Sequence, residues 1–147
     1  MGDKLSSHLL EKNILSQIET DPDNPDLYSR LGHIYFTAKN WNGTQDAWEN
    51  SLALNPDNAL ILNNLAWHYA TCEDENFQDH YRALALAKLA IRLEKSPHIW
   101  DTLAESYYVN GMYHDAIDAG EQALKGAGRK RSYYEDQLEK FEAALSE

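Results

Sequence analysis

Apolar and small residues return along this chain in a fixed order. Tyr28, Leu31, Gly32 and Tyr35 stand at i, i+3, i+4 and i+7, which places them on one stripe of an α-helix. The stripe comes back 34 residues later as Leu62, Leu65, Ala66 and Tyr69, and 38 beyond that as Trp100, Leu103, Ala104 and Tyr107. A second helical stripe follows each one, with small residues set among bulky ones. These are Thr44, Trp48 and Ser51-Leu52, then Ala83, Ala87 and Ala90-Ile91, then Ala116, Gly120 and Ala123-Leu124. The small residue in each first stripe (Gly32, Ala66, Ala104) lets the second helix approach closely. A period of this length marks repeated helix pairs, each burying its apolar side against the next.

The pattern sets the boundaries of one repeat domain over residues 1–147, with units at 25–58, 59–96 and 97–130. The first pair is predicted from about Asp26 to Ala38 and from about Gly43 or Thr44 to Leu54, with Trp41 in the turn and Pro56 as the stop. In the second pair a helix from Leu60 to about Thr71 is followed by a restart near Asp79. Residues 72–78 are therefore an insertion of about five residues over the repeat ruler. The third pair opens at Pro97, turns at Asn110-Gly111 and ends at Gly126-Ala127-Gly128. In residues 1–24, the positions Leu5, Leu9, Leu10, Ile14, Leu15 and Ile18 read as the apolar face of a helix that closes one end of the series. In residues 131–147, Ser132 and Glu135 read as a capping box for a closing helix whose apolar stripe is Tyr134, Leu138, Phe141 and Leu145.

These residues resemble the tetratricopeptide repeat, with its 34-residue period and its W-x-x-L-G-x-x-Y…A-x-x-x-F…P pattern. Thr44 and Ser51 stand where that pattern has alanine, and the second unit lacks the closing proline, with Lys95 near its place. The resemblance covers residues 25 to about 130. It implies an all-α, right-handed superhelical solenoid with helices capping both ends, and a non-catalytic protein-interaction scaffold or adaptor. The inserted loop and the Leu-Asn-Asn-Leu-Ala-Trp run look more like bacterial members, among them assembly factors.

Charge narrows the partners. Twenty-four acidic against thirteen basic residues give a formal net charge of −11, which argues against nucleic acid and anionic membrane as ligands. Basic or apolar segments of other proteins suit it better. No apolar run is long enough to insert in a membrane and no secretory leader is visible at Met1-Gly2, so the expected location is cytoplasmic. Lone Cys72 excludes an internal disulfide framework.

The resemblance implies that the first helix of each pair lines a concave groove. The positions facing it are Ser29, His33 and Phe36 in the first unit. In the second they are Asn63 and Trp67, with Asn64 beside them, and in the third Asp101, Glu105 and Tyr108. Aromatic surface beside amides and carboxylates suits a peptide or helix of a partner: the amides can bond its backbone, Trp67 anchors it, and the carboxylates pair with a basic residue. Chaperone-binding members of the family clamp a terminal carboxylate with lysines, an arginine and asparagines. Only Asn64 fits that set, and Asp101 with Glu105 would repel a carboxylate. On this reading Trp67→Ala or Glu105→Lys weakens partner binding and leaves the fold intact.

Other chemistries have weaker footings. His68 and Cys72 lie at i, i+4, and His80 follows across the insertion, a spacing that would bring metal ligands together. A buried histidine and a small packing cysteine explain the first two equally well. No phosphate loop, G-x-S-x-G or H-E-x-x-H occurs, so neither a cofactor nor catalysis is expected. Self-association is a further alternative. Tyr133, which the apolar stripe of the last helix does not use, would lie at that seam.

Overall fold

The computed structural model describes residues 2–147, with only the backbone of Asp3; Met1, named above in reading the chain's start, lies outside the described residues. Eight α-helices account for most of them: α1 (Gly2–Thr20), α2 (Pro25–Thr37), α3 (Trp41–Leu54), α4 (Ala59–Thr71), α5 (His80–Leu93), α6 (Pro97–Val109), α7 (Tyr113–Lys125) and α8 (Arg131–Leu145). Short 3-10 turns occupy Glu75–Phe77 and Gly128–Lys130. Among the described residues there is no strand, and no helix is long and apolar enough to cross a membrane. The chain forms two compact units, residues 1–61 and 62–147.

In the first unit, α2 and α3 make the predicted pair. Trp48 of α3 is 2% exposed and lies directly over Gly32 of α2. A Cβ at Gly32 would come within 2.2 Å of the indole Cδ1, so glycine is required by contact. The indole Nε1 donates to the Ser29 carbonyl at 3.2 Å, and Ser51 Oγ donates to the Pro25 carbonyl at 3.0 Å. The small positions of the second stripe thus carry hydrogen bonds as well as close contact. Helix α3 starts at Trp41, before the expected Gly43 or Thr44, because Asn40 accepts a bond from Gly43 N at 3.0 Å and caps the helix there.

Helix α1 packs on α2 through Ile14 and Ile18, and Tyr35 OH donates to Glu11 Oε1 at 3.0 Å. The expected single apolar face does not hold. Leu5 and Leu9 are 65% and 58% exposed. At roughly 100° per residue they lie about opposite Ile14 and Ile18, so packing one pair leaves the other in solvent.

In the second unit, α5, α6, α7 and α8 pack in sequence. Phe141 and Tyr134 of α8 are 0% and 3% exposed, and Phe141 and Leu138 sit against Gly120 of α7. Helix α8 starts at Arg131 without a side-chain cap, so Ser132 lies inside its first turn. The 3-10 turn at Gly128–Lys130 runs straight into the helix and leaves no capping geometry at Ser132.

The turns α2–α3 and α6–α7 share their closing main-chain bond. Asn40 N donates to Tyr35 O and Met112 N to Tyr107 O, at 2.9 and 3.0 Å. Lys39 and Gly111 hold the same left-handed place, with φ of 57° and 74°.

Candidate functional site

The insertion is a tied-down element of the second unit. Asp74 caps the 3-10 turn by accepting from Asn76 N at 3.0 Å. Gln78 Nε2 donates to the Cys72 carbonyl at 2.8 Å, and His80 Nε2 donates to Gln78 Oε1 at 3.0 Å. Asp79 then caps α5 through Arg82 N at 2.9 Å, and Nδ2 of Asn110, just past the end of α6, donates to the His80 carbonyl at 2.7 Å. His68 and Cys72 are 2% and 6% exposed; burial lowers the imidazole pKa and raises that of the thiol. His80 is turned to Gln78. Among the described residues no three His, Cys, Asp or Glu converge as a metal site.

In the first unit Ser29, His33 and Phe36 stand along α2 as the spacing predicts. His33 Nδ1 donates to the Ser29 carbonyl at 2.8 Å, and its ring meets Trp48 edge-on at 5.3 Å. Phe36, 41% exposed, stacks on Trp48 at 5.7 Å and meets Trp41 edge-on at the same distance. The exposed ring is therefore held rigidly by two tryptophans beneath it.

In the second unit α4 carries Asn63, Asn64 and Trp67. Asn64 and Trp67 are half-buried. Asn63 is 8% exposed, and its Oδ1 has no hydrogen-bond partner. An orphaned buried acceptor costs about 1–3 kcal/mol, so this one favours any rearrangement that brings it a donor.

The row on α6 is differently placed. Asp101 and Glu105 are 6% and 7% exposed, and α8 covers both. Tyr133 OH donates to Asp101 Oδ2 at 3.0 Å. Gln137 Nε2 bridges Asp101 Oδ1 and Glu105 Oε2 at 3.2 and 3.1 Å. Lys140 Nζ pairs with Glu105 Oε2 at 2.6 Å and lies 4.7 Å from the Tyr108 ring centroid. Burial raises the Asp101 pKa against the lowering pull of Gln137, Tyr133 and Lys140, and Glu105 adds to the rise. The Tyr133 pKa is pushed up in turn by burial and by Asp101, so within this chain its hydroxyl is engaged on α6. The basic residue expected from a ligand is supplied here by the chain's own last helix. Tyr133, Gln137 and Lys140 stand at i, i+4 and i+7, the spacing of Asp101, Glu105 and Tyr108. That matching period is the sequence signal that pairs α8 with α6.

No protein-family profile matches the chain, and no curated protein does. Solved structures do. The tetratricopeptide domain of Sgt2 from Aspergillus fumigatus is similar at 22% identity over 83% of this chain and 79% of that one, with a TM-score of 0.71. The first tetratricopeptide domain of Spaghetti (RPAP3), solved with an HSP90 peptide, is 16% identical over 84% and 94%, with a TM-score of 0.73. The tetratricopeptide protein TTC0263 of Thermus thermophilus is 20% identical over 98% and 77%, at 0.67.

Proposed function

On the tetratricopeptide-repeat fold that this chain has, an all-α series of helix–turn–helix units, we propose a non-catalytic scaffold that binds a peptide or helix of a partner protein along the first helices of its pairs. The observation that carries this reading is the unpartnered Asn63 Oδ1 one turn from half-buried Trp67. An apolar side chain of the ligand covers the indole, and a small opening motion at this turn of α4 admits a peptide main-chain N–H to the shielded Asn63 Oδ1. Within the first unit the Phe36 ring, set against Trp48 and Trp41, offers an apolar contact of its own with Ser29 and His33 beside it on α2.

The α6 row plays a different part in this reading. Asp101, Glu105 and Tyr108 meet the ligand only at their solvent edges, since α8 holds their polar groups. An apolar, extended segment suits the remaining surface. The HSP90 peptide SRMEEVD of the Spaghetti complex is acidic, and this chain has no basic set on those rows to receive it. A cytoplasmic location is part of the same proposal.

A pull-down from native lysate with wild type, Trp67→Ala and Asn63→Leu tests it, read by mass spectrometry and followed by titration of the purified partner. A partner held by wild type and bound at least ~10-fold more weakly by Trp67→Ala, about 1.4 kcal/mol, supports the reading. Equal capture by all three proteins sinks it.

A further inference from the structure

Helix α5 departs from the character of its surroundings. In a chain of formal net charge −11 it holds Arg82, Lys88 and Arg92 and no aspartate or glutamate from His80 to Leu93. All three cationic residues are exposed. Ala83, Leu86, Ala87 and Ala90 form its buried side. Its outward side shows Tyr81, 87% exposed, then Ala85, Leu89 at 44% and Leu93 at 46%. Steps of four residues join these into a ridge that winds slowly around the helix.

The other outward faces of this unit differ. Helix α7 exposes Asp115, Asp118 and Glu121 with a single lysine, Lys125, at its end, and α8 exposes Glu135, Asp136, Glu139 and Glu142 with Arg131 paired to Glu135. An apolar ridge flanked by cations is thus particular to α5, and such a patch on a soluble surface marks an interaction site.

We propose that the outward face of α5 docks an acidic amphipathic helix of a partner protein. The apolar side of that helix covers Tyr81, Ala85, Leu89 and Leu93, and its carboxylates meet Arg82, Lys88 and Arg92. The outer two cations lie ten residues apart, about 15 Å of helix, which three turns of a partner helix match. Anionic bilayers and nucleic acids also carry negative charge, but both are extended anions, and twenty-four acidic residues against thirteen basic ones repel them. A single acidic helix presents its charge only where the cations are.

The test is fluorescence anisotropy with a labelled synthetic peptide of about 18 residues, long enough to form helix, with leucine at i, i+3, i+4 and i+7 and glutamate elsewhere. Its counterpart carries lysine for glutamate. The glutamate peptide should bind wild type and lose at least ~10-fold in affinity with Lys88→Glu/Arg92→Glu, about 1.4 kcal/mol. Leu89→Ser should weaken it too, and Trp67→Ala should leave it unchanged, which separates this face from the reading above. Circular dichroism checks that each variant keeps its helix content. No binding, equal binding of the two peptides, or indifference to the charge reversal overturns the proposal. So does self-association of wild type, or co-sedimentation with phosphatidylserine–phosphatidylcholine vesicles, if either is abolished by the same reversal. Those results assign the face to a second copy or to a membrane.

Discussion

Lys140 of α8 reaches Glu105 of α6 with Nζ 2.6 Å from Oε2, and the same ammonium lies over the Tyr108 ring. The carboxylate is buried and the lysine is partly exposed. The pair therefore fixes the last helix on the row where sequence reasoning looked for a ligand. Lys140→Ala leaves Glu105 with the Gln137 amide donor and should cost about 2 kcal/mol, as hydrogen bonds to buried charges do. A melting temperature within about 1 °C of wild type would contradict this, since about 2–4 °C per kcal/mol is usual for a chain of this size.

Glu105→Lys carries the opposite expectation from the one the sequence suggests. It sets two ammonium groups against each other in a site closed by α8 and should destabilise more than Lys140→Ala. Adding Lys140→Glu in the same chain restores an ion pair of reversed polarity. Partial recovery of the melting temperature in the double variant is the expected result, and full additivity of the two losses would show the residues uncoupled.

Asp101 makes stability depend on pH. Its folded pKa lies above the ordinary value of 3.8, chiefly through burial. The folded state therefore holds this proton more tightly than the unfolded chain does. Asp101 costs nothing below pH 3.8 and opposes folding increasingly as pH rises from 3.8 through the raised folded pKa. In Asp101→Asn that titration is gone. The stability of wild type minus that of the variant should fall across this window, and a difference that stays flat or rises would reverse the sign of the argument.

Gly32 is fixed by Trp48. A methyl group at Gly32 would overlap the indole ring, so Gly32→Ala should destabilise by about 1–3 kcal/mol despite alanine's better helix propensity. Trp48→Leu in the same background should return part of the loss, measured by denaturant titration.

The two matching turns each lack what the other has. Repeat one caps α3 with Asn40 and strains Lys39 into the left-handed region; repeat three has Gly111 there but starts α7 at Met112 without a side-chain cap. Lys39→Gly should stabilise by roughly 0.5–1 kcal/mol by relieving that strain. Met112→Asn should add about 1 kcal/mol through the missing cap. Two lowered melting temperatures would show that the turns are not equivalent.

Much of this was readable from residue spacing. The stripes led by Tyr28, Leu62 and Trp100 fall on α2, α4 and α6, because an apolar period of 3.6 has few other solutions. Helix starts were less legible: Asn40 as a cap moved α3 forward, and the 3-10 turn before Arg131 bypassed Ser132. The row Asp101, Glu105 and Tyr108 was located by period alone. What covered it was not, since the partners Tyr133, Gln137 and Lys140 lie over thirty residues away in sequence and read on their own as a solvated face. Leu5 and Leu9 were read with Ile14 and Ile18 because all are apolar, while the helical angle puts them on opposite sides.

The indole of Trp48 is buried and hydrogen-bonded inside the first unit, next to Trp41, while Trp67 and Trp100 belong to the second. Each unit therefore carries its own optical reporter. A chain with Trp67 and Trp100 replaced by phenylalanine emits only from residues 1–61, and the red shift of that emission on heating times the parting of α2 from α3 against the loss of helix in the whole chain.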